Sequence, residues 1–364
     1  MVINRVKNEY RQDYASSPGE ILEETLDGRG IQKKDFADRC GLSAKHIHQI
    51  IGGEASVTPG TAILFERVLG IDSQIWNNLE ANYRSFKARE TAKQEAESLF
   101  KWSKKFPVKE LVNRGFIEQP KNKSHAVEYL LSFFGVASIE AWNSKYGSMA
   151  VSYRHSPSFD SEKEHLATWL RIGELLAQRI NTKPYDRLRF KQVLSEIRSL
   201  TGRDPGEFEP KIKELCRQAG VAIIFVREFS KTHVSAATRW LGQEKALIQL
   251  SLRYKTNDHF WFSLFHEGAH ILLHGKKSVF IDNSSDKSEA EVQADNFAAN
   301  ILIPPQRYRQ FTGEGVFNGG SISSFAESIG ISPGIVVGRL QYDKKMGFDQ
   351  FNHLKVRFEL NQDG

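Results

Sequence analysis

Cysteine is almost absent: Cys40 and Cys216 are the only two in 364 residues. They form no CxxC pair and are too few for a disulfide framework, so a reducing cytoplasm is the expected compartment. There is no run of 18 or more apolar residues, which removes a membrane-spanning helix and a membrane partner. The opening MVINRVKNEYRQDY lacks the apolar stretch of a signal peptide. Internal repeats and low-complexity tracts are missing too. What remains is an ordinary globular composition, 40% hydrophobic and 26% charged, long enough for two or three domains. A net charge of +6 permits nucleic acid as a partner without requiring it.

Against that background one stretch carries chemistry, NDHFWFSLFHEGAHILLHG from Asn257 to Gly275. It contains His266-Glu267-Gly268-Ala269-His270, an H-E-x-x-H motif. On a helix, positions i and i+4 share a face, so both histidines can turn a ring nitrogen toward one metal ion. Glu267 sits beside them and can accept a proton from water without being a ligand. The motif is short. From 11 His and 44 acidic residues in 364, (11/364)² × (44/364) over about 360 start positions gives roughly 0.04 chance matches, so context must decide.

The context favours a site. Asn257 or Asp258 can cap the start of a helix, and His274-Gly275 can stop it. Trp261, Leu264, Phe265, Ala269 and Leu272 recur at helical spacing as a core stripe. A second helix is expected over Glu289–Ala299, ended by Ile303-Pro304-Pro305, with Ala294, Phe297, Ala298 and Ile301 on its apolar face. A catalytic zinc takes three protein ligands and keeps one position open. Glu291, one turn ahead of Ala294, is the natural third ligand. HEGAH followed by ExxADxFAANILIPP resembles the zinc peptidase domain of the ImmA/IrrE family, over roughly residues 215 to 345. The resemblance implies a gluzincin-type site in which Glu291, and not Glu289, opens the downstream ExxAxxFA motif.

The N-terminal region reads as a helical bundle. Helices are expected from Pro18 to Gly28, Lys33 to Cys40, Ala44 to Ile51, Pro59 to Leu69, and from Ser73 onward. The Gly41-Leu42-Ser43 turn, with Ser43 as cap, makes the second and third a helix-turn-helix. Ile47, Ile50 and Ile51 would face the core. Ala44, Lys45, His46, His48 and Gln49 would be exposed with side chains suited to base edges. PGEIL…GRGIQKKDFADRCGLSAKHIHQIIGGEASVTPGTAILFERVLG is similar to the HigA branch of the lambda-repressor-like (XRE) family. That resemblance implies an antitoxin or autorepressor bound to operator DNA, with Lys33, Ser43, Ala44, Lys45, His46 and Gln49 at the interface. Gln32-Lys33 stands where the family commonly has a Ser/Thr-Gln pair, so Lys33 is expected to meet phosphate rather than a base.

Between the two ends, basic residues outnumber acidic ones from Tyr83 to Lys123. A solvated helix and linker, or an auxiliary phosphate contact, both fit. Helical periodicity over 127–134, 165–180 and 190–200 indicates a helical middle domain, and FPVKELVNRGFI and LLSFFGVASIEAW resemble the middle of HigA-type proteins fused to peptidases. Strands are expected over 220–226, 234–241 and 246–252 as a small antiparallel sheet. A second short helix pair, 322–329 and 333–340, reads as structural, with Arg339 as a candidate to reach the site.

The expected architecture is therefore multidomain. An all-α lambda-repressor-like helix-turn-helix domain (1–85) precedes a helical linker domain (86–215) and an α+β zincin-like, gluzincin-type domain (216–364). The expected function is a DNA-binding regulator with a zinc-dependent endopeptidase, His266, His270 and Glu291 holding Zn2+ and Glu267 as the base. Its partners would be double-stranded operator DNA and a protein substrate or cognate toxin or repressor. The oligomeric state stays open, a homodimer included. The alternative is a non-catalytic HigA-like antitoxin whose C-terminal domain binds a toxin. A three-histidine sensor site including His274 is disfavoured, because two i+4 steps carry it about 80° around and about 12 Å along the helix.

Overall fold

The computed structural model describes residues 14–147, 163–230, 232, 234–251, 253, 255–275, 280–281, 288–315 and 317–359. The expectations for residues 1–13 and for Leu252 lie outside them. The chain packs as two compact units, 1–100 and 101–364.

In the first unit, α1 (Pro18–Gly28), α2 (Lys33–Cys40), α3 (Ala44–Ile51) and α4 (Pro59–Leu69) begin and end as their local sequences dictate. Ser17 and Glu20 form a reciprocal capping box at the start of α1. Gly41 takes the left-handed φ of 66° that ends α2, and Ser43 Oγ then accepts the His46 amide at 3.1 Å to start α3. Ile47 and Ile50 point into a core built on Phe36, Phe65 and Trp76. The rings of Phe65 and Trp76 meet edge to face at 5.4 Å. Ile51 is only half-buried. The fifth helix, α5 (Ser73–Ser98), buries Trp76 and Ala96 and is otherwise largely solvated. The expected boundary at 85/86 falls inside it.

In the second unit the middle helices α6 (Lys123–Phe134), α7 (Lys163–Gln178) and α8 (Arg187–Arg198) form near their expected places. A further helix, α9 (Pro205–Gln218), occupies a stretch whose opening had read as a turn. Pro205 sits at its first position, where no amide partner is lost.

Strands β1 (Val221–Phe225), β2 (Ala236–Trp240) and β3 (Ala246–Leu250) join β4 (Phe280–Ile281) in one sheet of order β1-β3-β2-β4. The sheet is mixed, which corrects the antiparallel expectation. β2 and β3 form the expected hairpin, but β1 runs parallel to β3, with Val221 opposite Ala246. The reason is topological. β1 and β3 are buried along their whole length, so each needs cover on both faces. In the strand order β3 and not β2 lies beside β1.

The helix α10 (Asn257–Leu273) packs on β2 and β3, and α11 (Glu289–Leu302) packs on α10, followed by α12 (Pro305–Gly313), α13 (Gly319–Ser328) and α14 (Pro333–Tyr342). Trp261, Leu264, Phe265 and Ala269 are fully buried, and 14 of the 17 residues of α10 are core. α14 lies against the first turn of α10 at two glycines. A Cβ on Gly334 would stand 2.5 Å from Asn257 Oδ1, and one on Gly338 would stand 2.5 Å from Asp258 Oδ2.

Candidate metal centre

The start of α10 differs from expectation. Thr256, not Asn257 or Asp258, occupies the cap position, and its side chain makes no capping bond. Asn257 and Asp258 lie in the first turn with other tasks. Asn257 Nδ2 donates to Ser332 Oγ at 2.7 Å while Oδ1 accepts from the Val356 amide at 3.1 Å. Asp258 Oδ2 pairs with Lys355 Nζ at 2.6 Å. The helix entry is thus fixed by tertiary bonds rather than by a local cap.

Two turns further along α10, His266 and His270 come together with Glu291, all buried, with one donor atom from each within 4.8 Å of the others. His266 Nε2 lies 3.0 Å from His270 Nε2 and 3.0 Å from Glu291 Oε2, and His270 Nε2 lies 3.3 Å from Glu291 Oε1. Tetrahedral zinc bonds of 2.0–2.1 Å place neighbouring donors about 3.3 Å apart, so this triangle fits a zinc ion. The donor chemistry fits as well, two imidazoles and a carboxylate. Burial pushes the Glu291 carboxyl up, but hydrogen bonds from both histidines outweigh it and hold the pKa at about 2. Burial also lowers the His270 pKa. The carboxylate and the neutral imidazole are the forms that ligate a metal.

Each histidine is backed on its far nitrogen. His266 Nδ1 meets Asp295 Oδ1 at 2.9 Å, and His270 Nδ1 meets His274 Nδ1 at 2.9 Å. Such partners fix ring orientation and tautomer. His274 therefore stands behind a site histidine rather than beside the three donors, and its Nε2 reaches Gln293 Oε1 at 3.3 Å. Glu289 is exposed and accepts from Gln293 Nε2 at 3.0 Å. Glu267 is fully buried, one residue from His266, and its carbonyl accepts from Thr238 Oγ1 at 3.3 Å.

The middle helices hold both site helices by their C-terminal ends. Arg187 Nε donates to Leu272 O at 3.1 Å, at the last turn of α10. Arg198 donates to Ile301 O at 2.7 Å and Leu302 O at 3.0 Å, at the last turn of α11, and to Ile329 O at 2.8 Å. A cation there satisfies carbonyls that have no helical partner and opposes the negative end of the helix dipole.

In the first unit, Ser43, Ala44 and Lys45 are exposed along the start of α3, while His46 and Gln49 are half-buried beside them. Lys33 is half-buried and ion-paired with Glu23, so it is a less available phosphate ligand than its place in the sequence suggests.

Two stretches of the chain match known families. Residues 216–341 match the IrrE N-terminal-like domain of the M78 peptidases, and residues 22–76 match the helix-turn-helix family. An uncharacterized HTH-type transcriptional regulator of Escherichia coli K12, YddM, is 30% identical over 74 residues, 79% of its length and 20% of this chain. The chain belongs to the helix-turn-helix transcriptional regulators. This regulator carries an M78-type domain C-terminal to its helix-turn-helix. Two solved structures are similar to it over 23% of its length. A putative antidote protein of a plasmid maintenance system from Nostoc punctiforme is 30% identical over 93% of that chain, with a TM-score of 0.23. A HigA-family addiction module antidote protein from Coxiella burnetii is 25% identical over 91% of that chain, with a TM-score of 0.21.

Sequence reasoning on this regulator missed Asp295, Arg187 and Arg198. Asp295 had a signal, since it lies four residues beyond Glu291 and so on the same helix face. The two arginines had none, because their targets are 85 and 103 residues away.

Proposed function

We propose that this regulator is a zinc-dependent endopeptidase that hydrolyses a peptide bond in a regulatory partner protein, joined to a domain that binds operator DNA. In this reading residues 1–85 engage DNA, 86–215 link and brace, and 216–364 cut. The observation that carries it is the buried His266–His270–Glu291 triangle with Glu267 on the adjacent helical position.

Bound zinc would act as a Lewis acid and bring the pKa of coordinated water down to about 7. His266 and His270, oriented by Asp295 and His274, would hold the ion through Nε2, with Glu291 as the third donor. Glu267 accepts the proton of the attacking water and passes it to the leaving amine. A site with a purely structural ion needs no base at that position. The α3 surface of Ser43, Ala44, Lys45, His46 and Gln49 is the proposed contact with bases, with Lys33 at most a partial phosphate contact. HigA-type autoregulation is the control this reading attaches to the first unit.

The test is metal analysis of the purified chain together with cleavage assays on candidate repressor and toxin partners. About one zinc per chain, and cleavage abolished by a chelator, is the expected result. A chain that binds a toxin tightly, cuts nothing and gains nothing from zinc is instead a non-catalytic HigA-like antitoxin.

A further inference from the structure

The two site histidines are backed by different chemistry, and only one backing is decided by its partner alone. Asp295 Oδ1 stands 2.9 Å from His266 Nδ1. A carboxylate accepts and does not donate, so His266 carries its proton on Nδ1 and turns a bare Nε2 toward Glu291. His270 Nδ1 instead faces His274 Nδ1 at 2.9 Å. One hydrogen lies between two such nitrogens, and either ring can own it. If His274 owns it, the His270 proton sits on Nε2, on the Glu291 side, and that nitrogen has no electron pair for a metal. If His270 owns it, Nε2 is bare.

The choice between these is made on α11. Gln293 Nε2 donates to Glu289 Oε1 at 3.0 Å, and the carboxylate fixes which end of the amide is nitrogen. The amide oxygen is then the atom 3.3 Å from His274 Nε2. An amide oxygen only accepts, so the His274 proton belongs on Nε2, and Nδ1 is left to receive the proton of His270. The ring is also tethered through its backbone, since the His274 amide donates to His270 O at 3.1 Å. Every link points outward: His270 Nδ1 to His274, His274 Nε2 to Gln293, Gln293 Nε2 to Glu289. Turning the amide round would set its oxygen against the Glu289 carboxylate, acceptor against acceptor.

We infer that His274, Gln293 and Glu289 are positioning residues for the candidate metal centre, a one-way chain of hydrogen bonds that keeps the His270 proton on Nδ1 and its Nε2 electron pair available to the ion. The inference rests on the metal reading of the His266–His270–Glu291 triangle and not on peptide cleavage. It gives Glu289 a task that needs no bond to the metal. Glu289 pins the amide, and without it Gln293 can still present its oxygen, so the site keeps its zinc.

The experiment uses the full chain, loaded with zinc and labelled with heavy-nitrogen histidine. Long-range proton–nitrogen correlation spectra tell a protonated ring nitrogen from a bare one, and the His274→Asn spectrum assigns the His274 signals. His274 should show a proton on Nε2 and a bare Nδ1. Chelator competition then reads zinc affinity in three variants. His274→Phe keeps a ring without the acceptor and should bind zinc about 10–100-fold more weakly. His274→Asn puts an oxygen where Nδ1 stood and should come within about threefold of wild type. Gln293→Leu should weaken zinc by about two- to tenfold, because Gln293 is exposed and water takes over part of its role. A zinc-loaded chain with a proton on His274 Nδ1 overturns the inference. So does wild-type affinity in His274→Phe or in Gln293→Leu. Equal losses in the Phe and Asn variants overturn it too, since His274 would then act only by packing. A wild type that binds no zinc sinks the metal reading itself, and the inference with it.

Discussion

His266 Nδ1 and Asp295 Oδ1 stand 2.9 Å apart, joining α10 to a residue one helical turn beyond Glu291 on α11. One turn of α11 therefore carries both a candidate ligand and the group that orients another. Asp295→Ala should weaken zinc binding about 10–100-fold without unfolding the domain, since the side chain is partly exposed. Chelator competition measures this, and unchanged affinity would leave Asp295 a bystander.

Glu291 and Glu289 differ by two residues and point to different surroundings. Glu291→Ala should empty the site of zinc in elemental analysis. Glu289→Ala should retain it, because Glu289 is exposed and bonded only to Gln293 among the described residues. The reverse result would mean that the zinc is held elsewhere.

Glu267→Gln keeps size and removes the base. Zinc content and DNA affinity should match wild type, while peptide cleavage falls by about two to four powers of ten. His266→Ala should lose cleavage too, but together with the metal. A Glu267→Gln protein that cuts at the wild-type rate removes Glu267 from the reaction.

Lys45→Ala combined with Gln49→Ala should abolish sequence-specific operator binding while leaving the fold intact, because the Ile47 and Ile50 face is untouched. Binding by the wild type should weaken as salt rises, as phosphate contacts require. A gel shift that finds specificity unchanged in the double variant moves recognition off α3.

Glu174 lies between Arg171 and Arg239, at 2.8 and 2.9 Å, with all three side chains largely buried. Burial pushes its carboxyl up, but Arg239 and Arg171 outweigh that and hold it below the ordinary range. A depressed folded pKa gives stability that is full above the unfolded value near 4.3 and is lost as pH falls through the folded one. Glu174→Ala should cost about 3–5 kcal/mol at neutral pH, by leaving two buried guanidinium groups uncompensated. It should also flatten the acid limb of stability below about pH 4.3, which denaturant titrations at several pH values would read.

What the sequence revealed was what is local. Ser17, Gly41 and Ser43 act within four residues of themselves, so α1 to α4 were legible to their ends, whereas the end of α5 at Ser98 was not. The histidine pair follows from helical spacing, whereas the preference for Glu291 over Glu289 came from the resemblance of the downstream ExxAxxFA motif. Long-range features were not legible. The parallel β1–β3 pair depends on how a connection passes a hairpin, and nothing in either strand encodes that. The α9 helix was hidden because Pro205-Gly206 resembles a turn and Pro210 lies inside it. At Thr256 the local signal misled, because Asn257 lies inside the first turn and, besides accepting the Asp258 amide, its side chain serves Ser332 and Val356.

The two glycines of α14 bear on how the groove lined by Phe262, Ala299 and Ile335 can change over generations. At Gly334 and Gly338 even a methyl group would press on Asn257 or Asp258. That side of the groove can hardly vary without moving α10 itself, and the histidines with it. The α11 side has no such restraint at Ala299, where a side chain can grow into open space. Descendants of this chain would then vary along α11 and keep the glycines.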